Sequence, residues 1–106
     1  MTKKLRKIIE KEGWKIYEDG DIVELSQYSP LGEDYSFAVE KKNITCEIVN
    51  YAENFDYEEH ASIWIEHRGT NGVPSSIQAI LDDAKSIGDM LDSLSNKIIR
   101  AYPNHF

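Results

Sequence analysis

Eight apolar residues in the last third of the chain fall into two interleaved series of sevens: Ile77, Ala84, Leu91, Ile98 and Ile80, Ile87, Leu94, Ala101. A spacing that averages 3.5 residues keeps one stripe of an α-helix apolar over its whole length and is incompatible with the period of two that a strand requires. The stripe predicts a helix of about seven turns, roughly 39 Å long. Pro74 ends the preceding loop, and Ser75-Ser76-Ile77-Gln78 supplies a Ser and a Gln at capping-box spacing to start the helix. Gly88 interrupts it and, with Ala84 one turn earlier, leaves a small-residue spot that another element can approach closely.

A stripe that long needs something to cover, and the first forty residues supply it. Thr2 to Glu12 reads as a short amphipathic helix with Leu5, Ile8 and Ile9 on one side and Gly13 at its end. Trp14 to Tyr17 alternates as a strand does. Asp19-Gly20 is a two-residue hairpin signal leading into Ile22 to Tyr28, and after Pro30 and Gly32 the segment Tyr35 to Glu40 puts Tyr35, Phe37 and Val39 on one face. From Asn43 the period changes. Ile44, Ile48, Tyr51 and Ala52 fit a helix with Asn43 as N-cap, while the Thr, Ile and Val of residues 43–53 leave a fourth strand open. Asp56 then caps a helix that carries Tyr57, Ala61, Trp64 and Ile65, and Gly69 to Pro74 is a loop. The fold class expected is α+β: an N-terminal helix, a three-stranded antiparallel meander, then two or three helices, with the long C-terminal helix covering the sheet. Its 106 residues suit one domain spanning 1–106.

Charge is distributed unevenly. Residues 1–17 carry six Lys/Arg against two Glu, a balance of +4, whereas residues 18–106 carry six against seventeen Asp/Glu, a balance of −11. A field of that sign repels nucleic acid and attracts basic protein surfaces, so direct nucleic-acid binding is not expected. Acidity also serves plain solubility. No run of about 18 apolar residues is present, and the basic start of the chain is followed by Glu10, Lys11 and Glu12 and not by an apolar stretch, which argues against a membrane span and against export. The one cysteine, Cys46, has no internal partner. A cytoplasmic protein is the expectation.

Chemistry-bearing residues are each open to an ordinary reading. His60 and His67 share one helix, but seven residues separate them by about 10 Å, so they do not form a metal pair and are read as surface or helix-packing histidines; no metal and no cofactor is expected. Cys46 reads as a buried structural thiol. The carboxylates at Glu33, Asp34, Asp56, Glu58, Asp82, Asp83, Asp89 and Asp92 read as turn, cap and solvent-face residues unless a concave apolar pocket gathers a pair of them for hydrolytic work. No catalytic residue is assigned. Tyrosines beside these carboxylates, namely Tyr28, Tyr35 and Tyr57, make an acidic, aromatic composition suited to a basic protein partner. Because the apolar stripe is wide, Ile77, Ala84, Leu91 and Ile98 are also a candidate homodimer seam.

Three stretches, Gln27 to Phe37, Glu53 to His60 with Trp64-Ile65, and Gly72 to Ser76, resemble a family of small uncharacterised proteins carried by Firmicutes genomes, their phages and integrated mobile elements; the resemblance spans about residues 22–95. It implies no activity, cofactor or site residue. It does imply a genomic context in which small acidic proteins include anti-CRISPR and anti-restriction inhibitors, some of them DNA mimics. By that class-level analogy the expected function is a non-enzymatic phage or mobile-element binding protein that inhibits a host nucleic-acid-directed defence system through an acidic, tyrosine-bearing surface, its partner a host protein with a basic surface such as a defence nuclease. The alternatives are a dimerising accessory or regulatory module that binds another protein, and a small-ligand-binding protein or hydrolase using the loop from Tyr28 to Tyr35.

Overall fold

A computed structural model describes residues 1–106 and has the α+β architecture expected. The order is α1 (Lys3–Lys11), β1 (Lys15–Asp19), β2 (Ile22–Tyr28), β3 (Asp34–Glu40), α2 (Ile44–Asn54), α3 (Tyr57–Glu66), α4 (Ile77–Ala101) and a short 3-10 turn (Pro103–His105). The strands form one antiparallel meander in the order β1-β2-β3, so β1 and β3 are both edges.

Helix α4 is 25 residues, about 38 Å, and sets the 44 Å long axis of the molecule. Its cap is Ser76, whose Oγ accepts from the Ala79 amide at 3.2 Å; the cap therefore lies one residue later than the Ser75–Gln78 spacing suggests, and the Gln78 side chain instead donates to Asp82. At the other end of the chain Thr2 caps α1 by accepting from the Leu5 amide.

Gly13 follows α1 at φ +92, and a Cβ there would stand 2.8 Å from Gln27 Oε1, so the exit from the helix needs a residue with no side chain. The β1–β2 turn is centred on Gly20 and Asp21, one residue beyond the Asp19-Gly20 expected, because Asp19 pairs with Ile22. Gly20, at φ +58, supplies the positive φ that a two-residue hairpin turn needs in its first central position.

The ambiguity at residues 43–53 resolves as helix: Thr45, Ile48, Val49 and Ala52 of α2 are buried at helical spacing. Asn43 precedes that helix at φ 59 but makes no side-chain cap. Cys46 on α2 is half-buried, its thiol 3.5 Å from the His105 carbonyl, so it is not the fully buried thiol expected.

The inward sheet face (Val23, Leu25, Tyr35, Phe37, Val39) meets Leu5 and Ile9 of α1, Ile48, Val49 and Ala52 of α2, and Ile87, Leu91, Leu94 and Ile98 of α4 in one apolar core. Trp14, immediately before β1, is buried there with its ring edge-on to Phe37 at 5.4 Å, and its indole N–H has no hydrogen-bond partner. A smaller cluster joins Ala61 of α3 to Ile80 and Ala84 of α4.

This packing corrects the dimer seam. Ala84, Leu91 and Ile98 are all buried within the chain, and only Ile77, in the first turn of α4, is exposed. The width of the stripe is accounted for by three helices that pack on α4, namely α1, α2 and α3, and by the one apolar core that α4 shares with the sheet. The small-residue spot behaves as its composition suggests, with the Phe55 ring against Gly88 and Ala61 in the cluster with Ala84.

Candidate functional site

The β2–β3 loop is built as a rigid arch. Gly32 donates to the Ser29 carbonyl at 2.9 Å, Ser29 donates its amide to the Glu33 carbonyl at 2.8 Å, and the Glu33 amide returns a bond to Ser29 Oγ at 3.0 Å. Asp83 of α4 then ties the arch down: one carboxylate oxygen accepts from Ser29 Oγ at 2.8 Å and the other from the Leu31 amide at 2.9 Å. Asp83, a candidate partner-binding carboxylate in the sequence, is thus turned inward as a strut.

From this arch Glu33 reaches α3. Both of its carboxylate oxygens lie within 3.0 Å of His60 Nε2. The imidazole stands edge-on to Tyr35 at 5.3 Å and lies 5.7 Å from Phe55. Tyr35 is 5% exposed, and its hydroxyl is hydrogen-bonded to that of Tyr51. Burial above all, then the bond to Tyr51 and the adjacent charge of Glu33, holds the Tyr35 phenol well above the ordinary tyrosine range. Tyr35 is therefore a core residue and not a partner contact, and Glu33 is half-buried and engaged. His60, expected as a surface or packing histidine, is both packed and hydrogen-bonded to Glu33.

The Glu33–His60 bridge divides two concavities. One, about 420 Å³, lies between the arch, α3, the 71–74 loop and α4, with Trp64, Val73 and Ile80 as apolar wall and Asp34 and Asp83 among its polar groups. The other, about 530 Å³, follows the N-terminal half of β3 past Tyr51 and Phe55 to Asp56 and Glu59. Because His60 Nε2 faces Glu33, Nδ1 is the ring nitrogen left for a ligand. No group of three or more His, Cys, Asp or Glu side chains is placed to hold a metal ion.

The remaining sequence candidates are on the surface. Tyr28 is 61% exposed with Lys15 Nζ 5.8 Å from its ring centre. Asp34, Asp56 and Glu58 are exposed, and Asp56 caps α3 by accepting from the Glu58 and Glu59 amides. Tyr57 is half-buried under Lys85. Asp82, Asp89 and Asp92 are exposed within an arc of about 80° on α4. Of the nineteen carboxylate side chains only Glu18 lies against Lys or Arg, namely Arg6 and Lys41, and Glu33 is hydrogen-bonded to His60.

Comparison with known proteins returned nothing: no family model, no curated protein and no solved structure matches the chain. No helix is long and apolar enough to cross a membrane.

Proposed function

We propose that this chain is a non-enzymatic binding protein that occupies a basic surface of a protein partner in the cytoplasm, and that the partner belongs to a host nucleic-acid-directed defence system. The observation that carries the reading is the state of the carboxylates. All but Glu12, Glu33, Glu47 and Asp83 are exposed, and Glu18 alone of the exposed ones has a basic partner within the chain. Exposed, unpaired charges of one sign repel one another and limit self-association, and they are satisfied when a surface of the opposite sign arrives. The class of target rests on the resemblance to proteins of phages and mobile elements together with this surface, since a site that holds nucleic acid is basic. Expression of the chain in a Firmicutes host with an active defence nuclease tests it: phage plating efficiency should rise, and the rise should vanish when Asp82, Asp89, Asp92 and Glu58 are changed to their amides. Full protection by the amide variant, or none by the native chain, contradicts the reading.

A second reading is favoured by one specific feature, the 420 Å³ cleft whose lining brings together Trp64, Asp34 and the Glu33–His60 pair. An aromatic wall beside carboxylates suits a small cationic ligand. Trp64 fluorescence that responds saturably to such a ligand, and no longer does after Asp34→Asn, would favour it.

A further inference from the structure

The outward edge of β3 has no partner. In an antiparallel ladder, residues alternate between those that exchange both backbone bonds with the neighbouring strand and those whose N–H and C=O point the other way. Two bonds set the phase here: Lys41 donates to the Asp21 carbonyl and Ser29 to the Glu33 carbonyl, each at 2.8 Å, on the same diagonal as the register Ile22↔Glu40 to Tyr28↔Asp34. The odd residues Tyr35, Phe37 and Val39 therefore bond β2. The even residues Asp34, Ser36, Ala38 and Glu40 turn their backbone groups to the free edge, no other segment of the chain bonds to them, and all four are exposed.

Edges of this kind are normally blunted by charged side chains, proline or a bulge. Strand β3 reads Asp-Tyr-Ser-Phe-Ala-Val-Glu, with charges only at its two ends and neither proline nor bulge between them. Beside its first half runs the groove floored by Tyr51 and Phe55 and rimmed by Asp56 and Glu59, with no lysine or arginine in its lining. A strand edge flanked by a helical wall is the geometry by which an extended peptide is taken up as an added strand.

Charge decides the occupant. Antiparallel pairing of β3 with a second copy, centred on Phe37, would set Asp34 opposite Glu40 twice, and like charges directly opposite destabilise a sheet. A strand with lysine or arginine at those two positions is attracted instead. We infer that β3 takes up an extended, basic segment of a protein partner as a fourth strand, its backbone on Ser36 and Ala38 and its terminal basic side chains on Asp34 and Glu40. This deepens the proposed function by giving the basic partner a docking route, and it rests on that reading.

The test titrates the full chain, ¹⁵N-labelled, with the blocked peptide acetyl-Lys-Val-Thr-Val-Thr-Val-Lys-amide. The expected result is saturable movement of the Ser36 and Ala38 amides and slower hydrogen exchange at both. Affinity should fall roughly tenfold or more for the glutamate-ended peptide and for Asp34→Lys with Glu40→Lys. Ala38→Pro, which removes an outward N–H and leaves the β2 ladder intact, should abolish uptake. If that variant does not fold, the same peptide N-methylated at alternate residues removes the reciprocal bonds, those its N–H groups donate to the Ser36 and Ala38 carbonyls. Absence of binding, equal binding of the glutamate-ended peptide, survival of binding after both backbone changes, or a homodimer that Ala38→Pro dissolves would each overturn the inference. Failure here with the phage-protection result intact removes only the docking route; failure of both removes the binding reading itself.

Discussion

Gly88 lies near the middle of α4, where glycine costs about 1 kcal/mol relative to alanine because the unfolded chain gives up more freedom there. Its neighbour is the Phe55 ring, and a Cβ at position 88 would stand 3.6 and 3.7 Å from two ring carbons, ordinary contact distances. Gly88→Ala should therefore recover the helix propensity with no steric cost, a gain of about 1 kcal/mol. For 106 residues, at roughly 2.1 cal/mol/K of unfolding entropy per residue, that is a rise in Tm of about 4–5 °C. Circular dichroism at 222 nm during heating measures it, and a urea titration should move its midpoint upward with unchanged slope. Ala84→Leu is the control of opposite sign. Ala84 is 2% exposed in the cluster with Ala61 and Ile80, and overfilling it should cost about 1–3 kcal/mol. A fall in Tm for Gly88→Ala would show that the ring cannot accept the methyl and that close approach, not tolerance, selects glycine there.

Other outcomes follow from the packing. Leu91→Ala should destabilise by about 2–5 kcal/mol in urea unfolding, and Leu91→Lys should unfold the chain instead of splitting a dimer, because Leu91 is fully enclosed by the core of its own chain. Asp83→Ala should cost about 1–3 kcal/mol and speed hydrogen exchange at the Leu31 amide, which loses its acceptor. Because folding raises the pKa of Tyr35, stability should be unaffected by this group below about pH 10, where tyrosine is neutral in both states. It should then fall as pH rises further, when the unfolded chain releases a proton that the folded chain keeps. Tyr35→Phe should flatten that decline in alkaline denaturation.

How far the sequence led differs between elements for physical reasons. Helix α4 was readable because a period repeated over 25 residues and a preceding proline and serine all point the same way. The same period could not say what covers the stripe. A heptad marks an apolar face and leaves its partner undetermined, which is why Leu91 and Ile98 suggested a seam between chains when they pack inside one. Around Asn43 the local signals conflicted, and burial of Ile48, Val49 and Ala52 decided for helix. The central feature of the candidate site was out of reach altogether. Glu33 and His60 are 27 residues apart and Ser29 and Asp83 are 54 apart, and neither pairing leaves a trace in local spacing. Taken singly, Glu33 reads as turn chemistry and His60 as half of a failed metal pair. The free edge of β3 was closer to hand, since a meander of three strands always leaves its first and last strands as edges.

The claim at the centre is that the unpaired carboxylates hold a basic partner, and a pull-down reads this most directly. The tagged chain is presented to a nuclease-treated Firmicutes lysate over a salt series, beside the amide variant at Asp82, Asp89, Asp92 and Glu58, with bound proteins identified by mass spectrometry. The account predicts recovery of a nucleic-acid-directed defence nuclease or its complex, falling steeply as salt rises and lost with the amide variant. Recovery that is indifferent to salt and to the amides, or recovery of nothing beyond the chain itself, would contradict it.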